Sequence, residues 1–242
     1  MIGPLSQTFA GEAVQLGLLG SFSLRIETEP VILPMNAQRL VGFLALHDGL
    51  LLRQHVAGSL WGDTTERHAA GSLRSALWRL GHPTHPLVEV ADTHLRLALN
   101  VAVDIRASEA LARRVLDDSQ DLSEGELDIA LLASDLLPGW NEDWVLVRRE
   151  YHVQLRLRAL EALSLRLSTM GRFGEAVQAS MLAVSVEPLR ESAQRTLVAA
   201  HLAEGNVAAA VKQYDSFREL LRDELKLEPS AEMQDLVKGL NR

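Results

Sequence analysis

Cysteine is missing from all 242 residues. Disulfides and thiolate metal sites are therefore excluded, and an intracellular home is expected over a secreted one. Long apolar runs are missing too, since none approaches the roughly 20 residues that cross a bilayer. The opening MIGPLSQTFAGEAV lacks both the basic start and the apolar stretch of a signal peptide. A cytoplasmic protein without a membrane role is the expectation. Lysine is absent from the first 104 residues, which hold seven arginines against nine acidic residues. The whole chain has a formal net charge of −8. Such a balance does not favour a polyanion at long range, but a binding face is a local matter.

The motifs of common enzymes are also absent. No Gly-x-x-x-x-Gly-Lys-Ser/Thr phosphate loop occurs, and GRFG at 171–174 has no dinucleotide context. There is no His-Glu-x-x-His and no Gly-x-Ser-x-Gly elbow. His82 and His85 in HPTH have no third ligand nearby in sequence and read as a loop pair. Asp117, Asp118 and Asp121 do not match the ligand spacing of an EF-hand. No enzyme activity, cofactor or metal is expected.

What is present falls into two halves with different patterning. In VQLGLLGSFSLRIE, Phe22, Leu24 and Ile26 alternate around Gly17 and Gly20, which predicts a short strand pair, with PVILP as a further strand. NAQRLVGFLALHDG predicts a helix capped by Asn36 and stopped by Gly49. LRQHVAGSLWGD predicts a second helix, with Val56, Leu60 and Trp61 at helical spacing and Gly62 as its terminator. A third runs from about Thr65 to Leu80. LVEVADTHLRLAL then sets Val88 and Val90 opposite Leu95 and Leu97 around a turn at 91–93, which predicts a hairpin. Strands, three helices and a hairpin in that order make a winged helix-turn-helix, preceded by a small sheet.

From about Asp104 the pattern is helical. GRFGEAVQAS at Gly171 matches GNVAAAVKQY at Gly205 with an offset of 34 residues, pairing Ala176 with Ala210 and Val177 with Val211. That period belongs to tetratricopeptide helix pairs. The expected fold is thus mainly α: a winged-helix domain over 12–103, then an all-α tetratricopeptide-like domain over 104–242. The polar stretch 117–128 is expected to be a surface loop or helix junction.

On a helical wheel, Leu73, Leu77 and Leu80 with Ala69, Ala70 and Ala76 form the buried stripe of the third helix. Opposite them lie His68, Gly71, Ser75, Trp78 and His82, flanked by Arg67, Arg74 and Arg79. No acidic residue occurs between Arg67 and Pro83. An acid-free face carrying arginine suits phosphate and guanine, because the guanidinium fork makes two parallel hydrogen bonds. Ser75 and Trp78 would stand nearest the bases. The plain alternative is a solvated face with Trp78 tucked beneath the hairpin. At the hairpin tip Thr93, His94 and Arg96 are the candidate contacts.

The segments RLVGFLALHDGLLLRQHVAGSLWGD and AAGSLRSALWRLGH resemble the OmpR-type DNA-binding domain of the Streptomyces antibiotic regulatory proteins. DLLPGWNEDWVLVRREYHVQLRLRALEAL and YDSFRELLRDELKLEPSAEMQDL resemble that family's bacterial transcriptional activation domain. The resemblance implies a transcriptional activator that binds direct-repeat promoter DNA as a side-by-side homodimer and contacts RNA polymerase. Where the family's wing often carries Gly-Tyr-x-Leu, this chain has Thr93-His94-Leu95-Arg96-Leu97. No ATPase or receiver segment is seen, so a short, stand-alone member is expected. The alternative is a protein-interaction module, with a helical repeat that binds a partner and a winged helix that no longer binds DNA.

Overall fold

The computed structural model describes residues 14–81, 86–117 and 129–239. Expectations for His82 and His85, and for the polar stretch after Asp117, lie outside the described residues. The chain divides into two compact units, one of Met1–Ser108 with Ser134–His152 and the other of Glu109–Ala133 with Val153–Arg242.

In the first unit, β1 (Val14–Gly17) pairs antiparallel with β2 (Ser23–Ile26), and β2 pairs with β3 (Glu29–Pro30). The strand expected in PVILP thus contributes only Pro30; with no N–H to give a ladder, proline belongs on a sheet edge. The fourth member, β7 (Val101–Val103), joins β1 in parallel, giving the order β3-β2-β1-β7. Three residues are too few for alternation to be seen in a sequence, and the sequence predicts no strand between the hairpin and the helices that begin near Asp104.

Helix α1 (Met35–Ala45) is buried through Leu40, Val41, Phe43 and Leu44. The expected cap Asn36 lies inside the helix. Pro34 holds the N-cap position with φ −61° and no side-chain bond, because a proline ring already fixes the entry angle. The helix also ends at Ala45, before Gly49. A two-residue strand β4 (Leu51–Leu52) leads into α2 (Arg53–Leu60), where Val56 and Leu60 face the core. Gly62 follows, and a Cβ there would come within 2.7 Å of the Gly58 carbonyl oxygen. Only glycine lets the chain turn so tightly. Helix α3 (Glu66–Arg79) is capped by Thr65, whose hydroxyl accepts the His68 N–H at 3.4 Å.

The hairpin of β5 (Val88–Ala91) and β6 (His94–Leu97) has the expected register, with Val88 opposite Leu97 and Val90 opposite Leu95. Asp92 turns it at φ +49°, a conformation that Asp tolerates better than most residues. β6 also pairs with β4, so the wing is a three-stranded sheet of order β4-β6-β5.

Two features close the first unit. Asp104, fully buried at the start of α4 (Asp104–Leu116), accepts the N–H groups of Leu18 and Leu19, each at 2.9 Å, and of Ile105 at 2.7 Å. Burial pushes its carboxyl above the usual 3.8, against the lowering effect of those N–H donors. The segment Ser134–His152 also belongs to this unit. Leu137 donates its N–H to Leu18 O at 2.8 Å, and Trp144 meets Phe43 edge-on at 5.3 Å. Arg149 binds three carbonyls, of Leu136, Leu137 and Trp140, and Glu142 pairs with Arg39 at 2.9 Å.

The second unit is built from helices that neighbour each other in sequence. Helix α5 (Asp143–Thr169), whose residues from Val153 onward belong to this unit, is followed by α6 (Phe173–Val186), α7 (Glu191–Ala203), α8 (Val207–Leu225) and α9 (Ala231–Val237). The expected repeat is visible in its turns. Gly171 and Gly205 take φ +75° and +84°. After each, the next N–H reaches five residues back: Arg172 to Leu167 O at 2.9 Å, and Asn206 to His201 O at 2.8 Å. This bond marks a Schellman helix end, where glycine supplies the left-handed residue. Ala176 and Ala210, also 34 apart, are both fully buried, since paired helices approach closely over small side chains.

Candidate nucleic-acid interface

The buried stripe of α3 consists of Ala69, Leu73 and Ala76, continued by Leu80. With that stripe inward, Arg67, His68, Arg74, Ser75, Trp78 and Arg79 are all exposed. Trp78 is 75% exposed and therefore not tucked beneath the hairpin. Its ring is therefore open to contact with a partner.

Among the described residues, Arg67, Arg74 and Arg79 have no carboxylate within ion-pair distance. The guanidinium of Arg79 lies over the Trp78 ring, 5.2 Å from its centroid, so the two form one flat cationic and aromatic element. Ser75 donates its hydroxyl to Gly71 O at 3.1 Å, which leaves its oxygen as an acceptor. His68 Nδ1 sits 3.2 Å from the capping Thr65 hydroxyl. Glu66 in the first turn and Arg79 in the last each favour the helix dipole. His82 lies outside the described residues.

The hairpin tip differs. Thr93 is exposed and its hydroxyl lies 3.2 Å from His94 Nδ1. Arg96 is half-buried, and its Nε and Nη2 both donate to Glu89 Oε2, at 2.8 and 2.6 Å. Leu99 N–H also reaches Glu89 at 3.3 Å. The Arg96 hydrogen bond, helped by that N–H, holds the Glu89 carboxyl below its ordinary 4.5. Glu89 was not among the candidate residues, yet the hairpin register that places Val88 against Leu97 also places Glu89 against Arg96. The signal was there in the alternation.

The first unit is thus a winged helix-turn-helix with an arginine face on α3, joined in one chain to tandem helix pairs. The description "bacterial transcriptional activator domain" matches residues 103–240, and the chain belongs to that family, as the resemblance to the Streptomyces antibiotic regulatory proteins implied. The chain is 28% identical over 241 residues to the regulatory protein AfsR of Streptomyces coelicolor, a match that takes in 93% of this chain and 24% of AfsR. It thus spans about a quarter of that relative. It is also similar in fold to Mycobacterium tuberculosis EmbR, solved in complex with a low-affinity phosphopeptide. There the TM-score is 0.68 at 18% identity, covering 95% of this chain and 65% of the EmbR chain.

Proposed function

We propose that the chain is a transcriptional activator that binds double-stranded DNA by laying α3 in the major groove. Residues 12–103 then serve as the DNA-binding domain and 104–242 as the activation domain. Arg67, Arg74 and Arg79 grip phosphate or guanine, and Ser75 and Trp78 approach the base edges. The observation that carries this reading is the acid-free outer face of α3, with three arginines that meet no carboxylate among the described residues and a Trp78 that is 75% exposed. The reading includes binding as a side-by-side homodimer on direct repeats, with RNA polymerase as the second partner, and the likeness to the family supports it.

The test is a mobility-shift titration on promoter fragments at several salt concentrations. Affinity should fall steeply as salt rises, with a logarithmic slope of about −0.9 per phosphate contact. Arg74→Ala should weaken binding by about 1–3 kcal/mol if this side chain reads a base. A protein that retards no fragment even at low salt favours the other reading, a protein-interaction module. The pairing of Arg96 with Glu89 gives that reading its one observation, since it commits the hairpin's arginine and leaves Asp92 as the uncompensated charge of the wing.

A further inference from the structure

Helices α2 and α3 line a half-open cleft of about 620 Å³ on the first unit, within the roughly 300–1,000 Å³ usual for small-molecule sites. It exists because the facing positions are small. Ala57 and Gly58 on α2 look across at Ala69 and Ala70 on α3, and Leu73 and Trp61 complete an apolar floor. Its charges are laid out unevenly. Arg53 stands at the start of α2 and Arg74 two turns into α3, each roughly 10–12 Å along its helix from the loop at 61–65, and both line the cleft. Glu66 lies at the loop end, about 12 Å away along α3 at 1.5 Å per residue. Neither guanidinium has a hydrogen-bonded partner among the described residues. The first turn of α2, at Arg53, adds the positive end of a helix dipole.

We infer that this cavity is a binding site for a small aromatic carboxylic acid. The carboxylate is held between Arg53 and Arg74, and the ring system lies on Ala57, Ala69 and Leu73 toward Trp61. Glu66 fixes the orientation, because it repels the carboxylate from the loop end. Resting on the proposed use of Arg74 against DNA, the inference extends to regulation. A ligand that engages Arg74 takes that guanidinium from the nucleic acid, so occupancy lowers DNA affinity.

Calorimetric titration of the full chain with naphthalene-2-carboxylate and indole-3-acetate, in the absence of DNA, tests the site directly. At least one acid should saturate below about 1 mM, and 2-naphthylmethanol, which cannot accept charge-assisted bonds, should bind roughly tenfold more weakly. Gly58→Leu should abolish binding by filling the cavity. A Cβ at Gly58 meets nothing within 4 Å, and leucine favours a helix over glycine, so the variant stays folded. Arg53→Gln should weaken the acid without changing DNA retardation. Saturating acid should weaken DNA binding of the wild-type chain and leave Gly58→Leu unaffected. If neither acid binds, if the alcohol binds equally well, or if Gly58→Leu binds as before, the inference is overturned even where the protein retards DNA. If the chain retards no DNA but binds the acid with these dependences, the proposed function and the regulation fall while the site stands.

Discussion

On α3, Arg67, Arg74 and Arg79 stand clear of every carboxylate among the described residues. On the hairpin, Arg96 is clamped to Glu89 through two nitrogens at 2.8 and 2.6 Å. Both surfaces read as arginine in the sequence, yet only one offers a guanidinium with its donors uncommitted. A phosphate approaching Arg96 must first displace a carboxylate, so its Coulomb gain is offset by the pair it breaks. Counting basic residues therefore overstates the wing and is fair to the helix. It also accounts for a net acidic chain keeping a face fit for a polyanion, since local freedom of charge matters more than its sum.

The contrast can be broken hardest by removing the whole arginine set of α3. The triple variant Arg67→Ala, Arg74→Ala, Arg79→Ala should lose roughly a hundredfold or more in DNA affinity, with the salt slope reduced by about 2–3. A triple variant that still retards DNA with the wild-type slope would move the interface elsewhere. Trp78→Ala comes next, at about tenfold if the ring packs on sugar or a thymine methyl; circular dichroism should show no loss of fold, because the ring is mostly in solvent.

Glu89→Gln acts in the opposite direction. Freed of its counter-charge, Arg96 should tighten binding at low salt by up to about threefold, and the gain should vanish as salt rises. Smallest of all is Arg96→Ala, expected to change DNA affinity less than about twofold. A large loss there would show that the wing grips despite its pairing. The same pair sets a pH expectation. The Glu89 carboxyl titrates below its ordinary 4.5 in the folded chain, so the pair's contribution is present above that value and is lost as pH falls through the lowered one. From pH 5 to 8 the clamp stays shut, and mobility-shift titrations across that range should show no gain that depends on Glu89.

Much of this interface could be seen in the sequence, and for a physical reason. The periods of 3.6 and 2 that separate Leu73 and Ala76 from Arg74 and Trp78, or Val88 from Glu89, are local properties of helix and strand. The 34-residue repeat was equally local, and its turns at Gly171 and Gly205 have matching hydrogen bonds. What escaped were pairings between distant stretches. Parallel β7 meets β1 across some 87 residues, and Asp104 reaches back to the Leu18 and Leu19 N–H groups. The cavity between α2 and α3 likewise depends on which small residues face one another, which no single window contains. Asn36 misled because capping preference ignores a neighbouring Pro34 that fixes the entry itself.

The return of Ser134–His152 to the first unit has a consequence in time. The hydrogen bond from Leu137 to Leu18, the contact of Trp144 with Phe43 and the three-carbonyl grip of Arg149 cannot form until that stretch has been synthesised. At ordinary elongation rates of about 5–20 residues per second, residues 104–152 take roughly 2–10 s to make. Throughout that interval the nascent winged helix has its arginine face encoded but its fold incomplete. On the proposed function, competence to bind nucleic acid arrives only after translation is well into the second half of the chain.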